Sequence, residues 1–400
     1  MPSRRRALLA SALAGSAALA GCTARLPISS PSPDEPPPSG VDELPDPDSH
    51  VFGANGSWSS FGCNASNTRA VGDGKAPVED VTERWRVETT QTTYQEPVVA
   101  DGVVYVVESQ RNLRALDATD GAELWTFEDA STVPIVRDGA VYTAVSNTVY
   151  ALEPASGDVL WEHEFDVSGR VTAALRTRRE LLCGVGEEIV ALEPDNGSIQ
   201  WRREVFGGVL DHAATFGPYG VVVVTDAGMV YLLTETGHGM WQWQLPTRPM
   251  CPPTGGRDAL YVSCNDGVTY ALADEEVDPI WTADASWTER GIGFADGLVL
   301  LAAGGQLQAL NRDSGDQYWS HEIGDWRHTA PVYGRDTVFV GGDRLHALDP
   351  TPGGSPDRGP AVRFEREFAG RVGPGPVLDD GTLYVVAEVE TEEYALLALE

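Results

Sequence analysis

A tryptophan returns along this chain at a nearly constant interval. Trp85, Trp125, Trp161, Trp201, Trp241, Trp281 and Trp319 are separated by 40, 36, 40, 40, 40 and 38 residues. Each closes the same kind of phrase, seen as Ala115-Leu116-Asp117-Ala118-Thr119-Asp120-Gly121-Ala122-Glu123-Leu124-Trp125. The phrase recurs from Ala151 to Trp161, from Ala191 to Trp201 and, less closely, from Ala309 to Trp319. A fixed period built from strand and turn signals, with no sustained helical periodicity after the N-terminal segment, means a radial array of small sheets. The expected fold is all-β: an eight-bladed β-propeller of four-stranded antiparallel blades.

One repeat shows how the reading works. Pro97 to Ala100 is a short strand, and Asp101-Gly102 is a two-residue turn of the kind that needs positive φ. Val103 to Val107 is apolar throughout and so reads as buried on both faces. Leu113 to Asp117 and Glu123 to Phe127 complete the unit. Asp-Gly returns at Asp138, Asp296 and Asp380, and the tyrosine that follows it returns as Tyr142, Tyr261 and Tyr384, with Phe339 once in its place. First strands fall near Pro97, Pro134, Ala174, Thr215, Pro253, Ile292, Pro331 and Pro376. The last unit has no fourth strand, while Val81 to Val87 is an orphan strand ahead of the first unit. Pairing the two closes the ring and leaves no free sheet edge. The seventh unit departs from the pattern: Pro350 to Pro360 is a Gly/Pro-rich insertion, and Phe364 replaces the tryptophan. The tryptophans are read as packing between blades.

The phrase Ala-Leu-(Asp/Glu)-x-x-(Thr/Ser)-Gly-x-x-x-Trp resembles the pyrroloquinoline quinone (PQQ) type repeat of tryptophan-docking propellers. Trp58-Ser59-Ser60-Phe61-Gly62, with Asn64 and Asn67-Thr68, resembles the opening segment of that family. The resemblance spans roughly residues 57 to 400 and implies the fold more than the activity. The family holds quinoprotein dehydrogenases as well as BamB-type lipoprotein scaffolds. The dehydrogenases carry adjacent cysteines and a calcium ion held by Glu, Asn and Asp. This chain has no Cys-Cys pair, and those ligands do not map onto it. No cofactor is therefore expected. A BamB-type scaffold is the preferred reading, a PQQ-dependent redox enzyme the alternative, and enzymatic activity is left open.

Residues 1–22 read as a targeting segment: Arg4-Arg5-Arg6, an apolar run from Ala7 to Ala20, then Gly21-Cys22. The twin arginines suggest Tat export, and Leu19-Ala20-Gly21-Cys22 resembles a lipobox that would leave Cys22 lipidated. Residues 23–50 form a Pro/Ser/Asp-rich tether unable to bury a core, and 51–400 are assigned to the propeller. These features place the protein on the outer face of the cytoplasmic membrane. Sixty Asp plus Glu against 28 Lys plus Arg give a net charge of −32, and Lys75 is the only lysine. Such a chain repels nucleic acid. The even spread of acid resembles haloarchaeal surfaces, where concentrated salt screens the repulsion.

Of the remaining cysteines, Cys251 and Cys264 stand opposite each other when counted outward from an Arg257-Asp258 turn. A disulfide between them is expected unless Pro252-Pro253 distorts the strand. Cys183 reads as a buried thiol, and Cys63 is unassigned. No metal-ligand spacing and no hydrolase or phosphate-loop signature is found. The candidate site is positional. Loops that lead from the fourth strand of one blade to the first strand of the next reach the mouth of a propeller's channel. Here they carry Tyr94, Arg170, His212, Arg248, Arg290, Arg327 with His328, and Arg371, and also Trp287 and Trp326. Convergent guanidiniums suit a carboxylate, a phosphate or an acidic peptide. Alternatively, each arginine pairs with an acid of the neighbouring blade. The expected partner is a protein, a peptide or a small anion, and the expected state is a monomer.

Overall fold

The computed structural model describes residues 58–71, 75–89, 95–108, 112–130, 132–217, 220–256, 258–273, 276, 278–295, 297–325, 328–350 and 359–400. The targeting segment with Cys22, the tether, Tyr94, Asp296, Trp326 and Arg327 lie outside the described residues. Among the described residues all elements are strands, arranged as eight sheets. Their innermost strands are Val98–Ala100, Ile135–Arg137, Val171–Arg176, Ala214–Phe216, Thr254–Gly255, Ile292–Ala295, Val332–Gly334 and Val377–Asp379. In the first seven blades the order of the four blade strands from inside to outside follows the chain, and the strands of each blade are antiparallel to their blade neighbours.

The eighth blade closes the ring as expected. Glu83–Thr89 pairs antiparallel with Glu393–Leu399, setting Arg86 opposite Leu397 and Val87 opposite Leu396. Thr82 and Glu400 exchange backbone hydrogen bonds of 2.7 and 2.9 Å at the end of the pairing.

The repeated phrase has a physical explanation in the packing of blades. Trp85, Trp125, Trp161, Trp281 and Trp319 each donate the indole N–H to a carbonyl of the next blade, at Ala118, Pro154, Pro194, Arg312 and Pro350. Trp201 differs and donates to the Glu180 carboxylate at 2.8 Å. The glycine of the next blade's turn lies flat against the ring. A Cβ on Gly157 or Gly197 would sit 2.8 or 2.6 Å from Trp125 or Trp161, and both glycines have φ above +70° or at it. Only glycine meets both demands. That is why Gly and Trp recur together at a fixed offset. Inside a blade, Tyr105, Tyr142 and Tyr261 pack tilted against Trp125, Trp161 and Trp281 at 5.7 to 6.1 Å. Asp101-Gly102, Asp138-Gly139 and Asp380-Gly381 have positive φ at both positions, the type I′ geometry the hairpins need.

The cysteine pairing requires a correction. The fifth blade's hairpin does set Thr254 opposite Tyr261, as the counted turn requires. Beyond the prolines the register slips by two residues, so that Pro249 faces Cys264 and the Met250 N–H donates to the Ser263 carbonyl. Pro252-Pro253 offers no N–H to hold the original ladder. Cys251 and Cys264 are therefore not joined by a disulfide; both are buried, as are Cys63 and Cys183.

The segment from Trp58 to Val71 runs around the inside of the ring. Its carbonyls at residues 58, 59, 65, 66, 68 and 69 accept hydrogen bonds from Val99, Val136, Thr215, Gly255, Phe294 and Tyr333, which belong to the innermost strands of six blades. Ala70–Val71 then adds a parallel strand to Val332–Gly334. Asn67 reaches the carbonyls of Ala213 and Pro253 at 3.1 and 2.8 Å. Gly62, Cys63, Asn67 and Arg69 all have positive φ, and Arg69 N–H closes back on the Gly62 carbonyl. The segment is a compact plug that fills the axis of the propeller.

Candidate functional site

Arg69 anchors the plug. It is fully buried and ion-paired with Glu96, itself 4% exposed. Its guanidinium also donates to the Arg290 carbonyl at 2.8 Å and lies 5.0 Å from the Phe61 ring centroid. Glu96 additionally accepts from the Gly62 N–H at 2.6 Å and from the Trp58 indole. The ion pair thus ties the turn of the plug to the loop that precedes the first blade.

Beside this anchor a cavity of about 370 Å³ opens to solvent. The plug contributes Phe61, and six interblade loops contribute Glu96, Val133, Gly208 to His212, Arg248 with Met250 to Pro252, Glu289 with Arg290, and Pro374. Of the expected mouth residues, His212, Arg248 and Arg290 line it directly. Arg170 and His328 reach it through the lining acids, since Arg170 pairs with Asp211 and His328 with Glu289. Arg371 is exposed and is not in the lining. Tyr94 and Arg327 lie outside the described residues, and Trp287 is half-buried away from the lining.

The expected ring of arginines is therefore matched by acids that the sequence reading did not single out: Glu96, Asp211, Asp226 and Glu289. Asp226 accepts the Gly208 N–H at 2.8 Å and fixes the loop that carries His212. The Arg170–Asp211 pair is half exposed, so its contribution to stability is slight. The signal for these acids was present at Glu289-Arg290 and Asp211-His212, where an acid immediately precedes a candidate cation. Phe206, on the same loop as Gly208 to His212, is 66% exposed.

His212 stacks face to face on Phe61, with ring centroids 4.2 Å apart and planes 3° from parallel. Burial pushes its imidazole down to about 4. The folded protein thus keeps His212 neutral, whereas the unfolded chain takes up a proton below a pH of about 6.5. The associated stability is complete above that pH and is lost as the pH falls towards about 4, roughly 3 kcal/mol in all. Denaturant titrations at several pH values should show His212→Phe to be less acid-sensitive than the parent over this window. An identical pH slope in the two proteins would refute the assignment.

A family model described as "Outer membrane protein assembly factor BamB" matches residues 75–181, 185–325 and 303–400. BamB of Moranella endobia (strain PCIT) is 23% identical over 202 residues, covering 46% of this chain and 52% of that protein. Serine/threonine-protein kinase AfsK of Streptomyces griseus is 39% identical over 93 residues, covering 20% of this chain and 11% of that protein. The matches thus span about half or less of these relatives. Among solved structures, BamB from Moraxella catarrhalis superposes with a TM-score of 0.61 at 15% identity, covering 80% of this chain and 97% of that one. The quinohemoprotein alcohol dehydrogenase of Comamonas testosteroni gives a TM-score of 0.67, also at 15% identity, covering 86% and 80%. At such identities the structural likeness shows the fold alone.

Proposed function

The chain belongs to the family of the outer membrane protein assembly factor BamB, and from that premise we propose that it is a non-enzymatic scaffold that captures a peptide segment of a partner protein at the plugged mouth of its propeller. The observation that carries this reading is the solvent-open cavity beside the plug. Glu96, held by Arg69, is part of its wall, so the anchor of the plug and the lining share a residue. The lining carries both arginines and carboxylates, a composition suited to a peptide with charges of both signs. Phe206, exposed on the loop that carries His212, offers an aromatic contact. In this reading Cys22 carries a lipid, and the tether holds the propeller at the outer face of the cytoplasmic membrane.

The same lining supports a reading without a quinone. A PQQ molecule carries three carboxylates and would meet four more on the cavity wall. Each of these wall carboxylates already has a partner. Glu96 is held by Arg69 and Gly62, Asp211 by Arg170, Asp226 by Gly208 and Glu289 by His328. In this reading the cavity takes no quinone, and no redox step is assigned.

The test is capture of partners in high salt, followed by mass spectrometry, with the parent protein and with Arg248→Glu/Arg290→Glu. The parent should retain a defined partner that the variant loses. Equal capture by both would remove the mouth as the binding site. A quinone absorbance band surviving gel filtration after addition of PQQ and Ca²⁺, with dye-linked dehydrogenase activity, would replace the scaffold by the enzyme.

A further inference from the structure

Away from the mouth, three metal-ligating side chains meet at the seam between the sixth and seventh blades. His321 lies on Gln317–Glu322, the outermost strand of the sixth blade. It is two residues from Trp319, whose indole docks on the seventh blade at Pro350, so both side chains share the face turned to that blade. His346 and Glu365 are direct cross-strand partners on Leu345–Asp349 and Ala361–Arg366 of the seventh blade. One donor atom from each of His321, His346 and Glu365 lies within 4.8 Å of the others. This is the only such trio among the described residues.

We propose that His321, His346 and Glu365 form a site for a divalent zinc-class ion that clasps the sixth blade to the seventh. His346 is 3% exposed, and its Nδ1 lies 3.1 Å from Glu365 Oε1. That spacing is close to the separation of about 3.4 Å between neighbouring ligands of a tetrahedral zinc ion with bonds near 2.1 Å. The other nitrogen of His346 lies 3.2 Å from Asp343 Oδ1. A carboxylate behind a ligating imidazole fixes its tautomer and orientation, the usual outer partner of a metal-bound histidine. Arg344 approaches Glu365 through Oε2, at 3.4 Å, and leaves Oε1 facing His346. The second imidazole supplies an independent sign. Its ring stands edge-on to His346, 5.3 Å between centroids, and Nε2 of His321 is buried without a hydrogen-bond partner. Buried polar atoms are ordinarily satisfied, and a coordinated cation would satisfy this one. Two imidazoles and one carboxylate form a borderline donor set that favours Zn²⁺, Co²⁺ or Ni²⁺ over Ca²⁺ or Mg²⁺. Glu365 is a third exposed, which leaves a fourth position open to water.

Untagged protein dialysed against a chelator should take up one equivalent of Zn²⁺ by calorimetry, gain thermal stability, and give a tetrahedral visible spectrum with Co²⁺. His321→Asn and Glu365→Gln touch partly exposed positions and should preserve the near-ultraviolet signature of the packed tryptophans. Each should weaken Zn²⁺ binding by about 100-fold or more, and Asp343→Asn by about 10-fold. Failure of the parent to bind Zn²⁺, or binding that survives both ligand substitutions in folded protein, would overturn the site.

Discussion

Arg69→Ala is expected to destabilise the propeller by about 3–5 kcal/mol, because it strands the Glu96 carboxylate inside the protein without its partner. Glu96 is 4% exposed, and its remaining donors are the Gly62 N–H and the Trp58 indole. The same change removes a cation from the Phe61 ring and a donor from the Arg290 carbonyl. The loss should therefore reach the mouth as well as the axis, since Phe61 and Arg290 both line the cavity. Replacing the two charges together, as Arg69→Met/Glu96→Gln, should restore much of the stability, because no buried charge is then left alone. Denaturant unfolding of the three proteins checks this. A single variant as stable as the parent would show that the plug does not depend on the ion pair.

Removal of residues 393–400 should have an effect comparable to the whole stability of the fold. Glu393–Leu399 is the strand between Glu83–Thr89 and Thr382–Glu390, so its loss uncovers two strand edges at once. It also removes Leu396, Leu397 and Leu399, none more than 1% exposed. Each buried leucine is worth about 1.5–3 kcal/mol, against a total of roughly 5–15 kcal/mol for a typical native protein. The expected product is an open, protease-sensitive chain that aggregates. Cleavage by a protease at a low enzyme ratio, with light scattering, reads this directly. A truncated protein with the parent's resistance would mean that the ring does not close through this strand.

Closure was legible in advance because a missing strand at one end and a surplus strand at the other can be counted without coordinates. The tryptophans were legible for a similar reason: six of the seven, all but Trp201, dock the indole N–H on a carbonyl of the next blade, so the requirement recurs with the repeat. The disulfide expectation failed where counting has no force. Two adjacent prolines remove the donors that keep a ladder in register, and the direction of the slip depends on what packs around them. The mouth was half legible. Cations on interblade loops were found from position, but Asp211, Asp226 and Glu289 are dispersed among sixty acids and carry no periodic mark. The His321, His346 and Glu365 trio was invisible because its members lie on three strands of two blades, with no spacing that a motif can express.

The sequence by itself determined the repeat, the number of blades, the hairpin turns and the joining of the two ends in one sheet. These follow from local chemistry that recurs: a glycine that must be left-handed and flat, an indole that must find a carbonyl, an alternation that must be buried. Only the tertiary structure decided that Trp58 to Val71 plugs the axis, that Arg69 meets Glu96, and that acids stand beside the arginines at the mouth. Those contacts join residues that occur once each and lie far apart along the chain. Their proximity is fixed by the radius of the closed ring, a quantity that no single repeat contains.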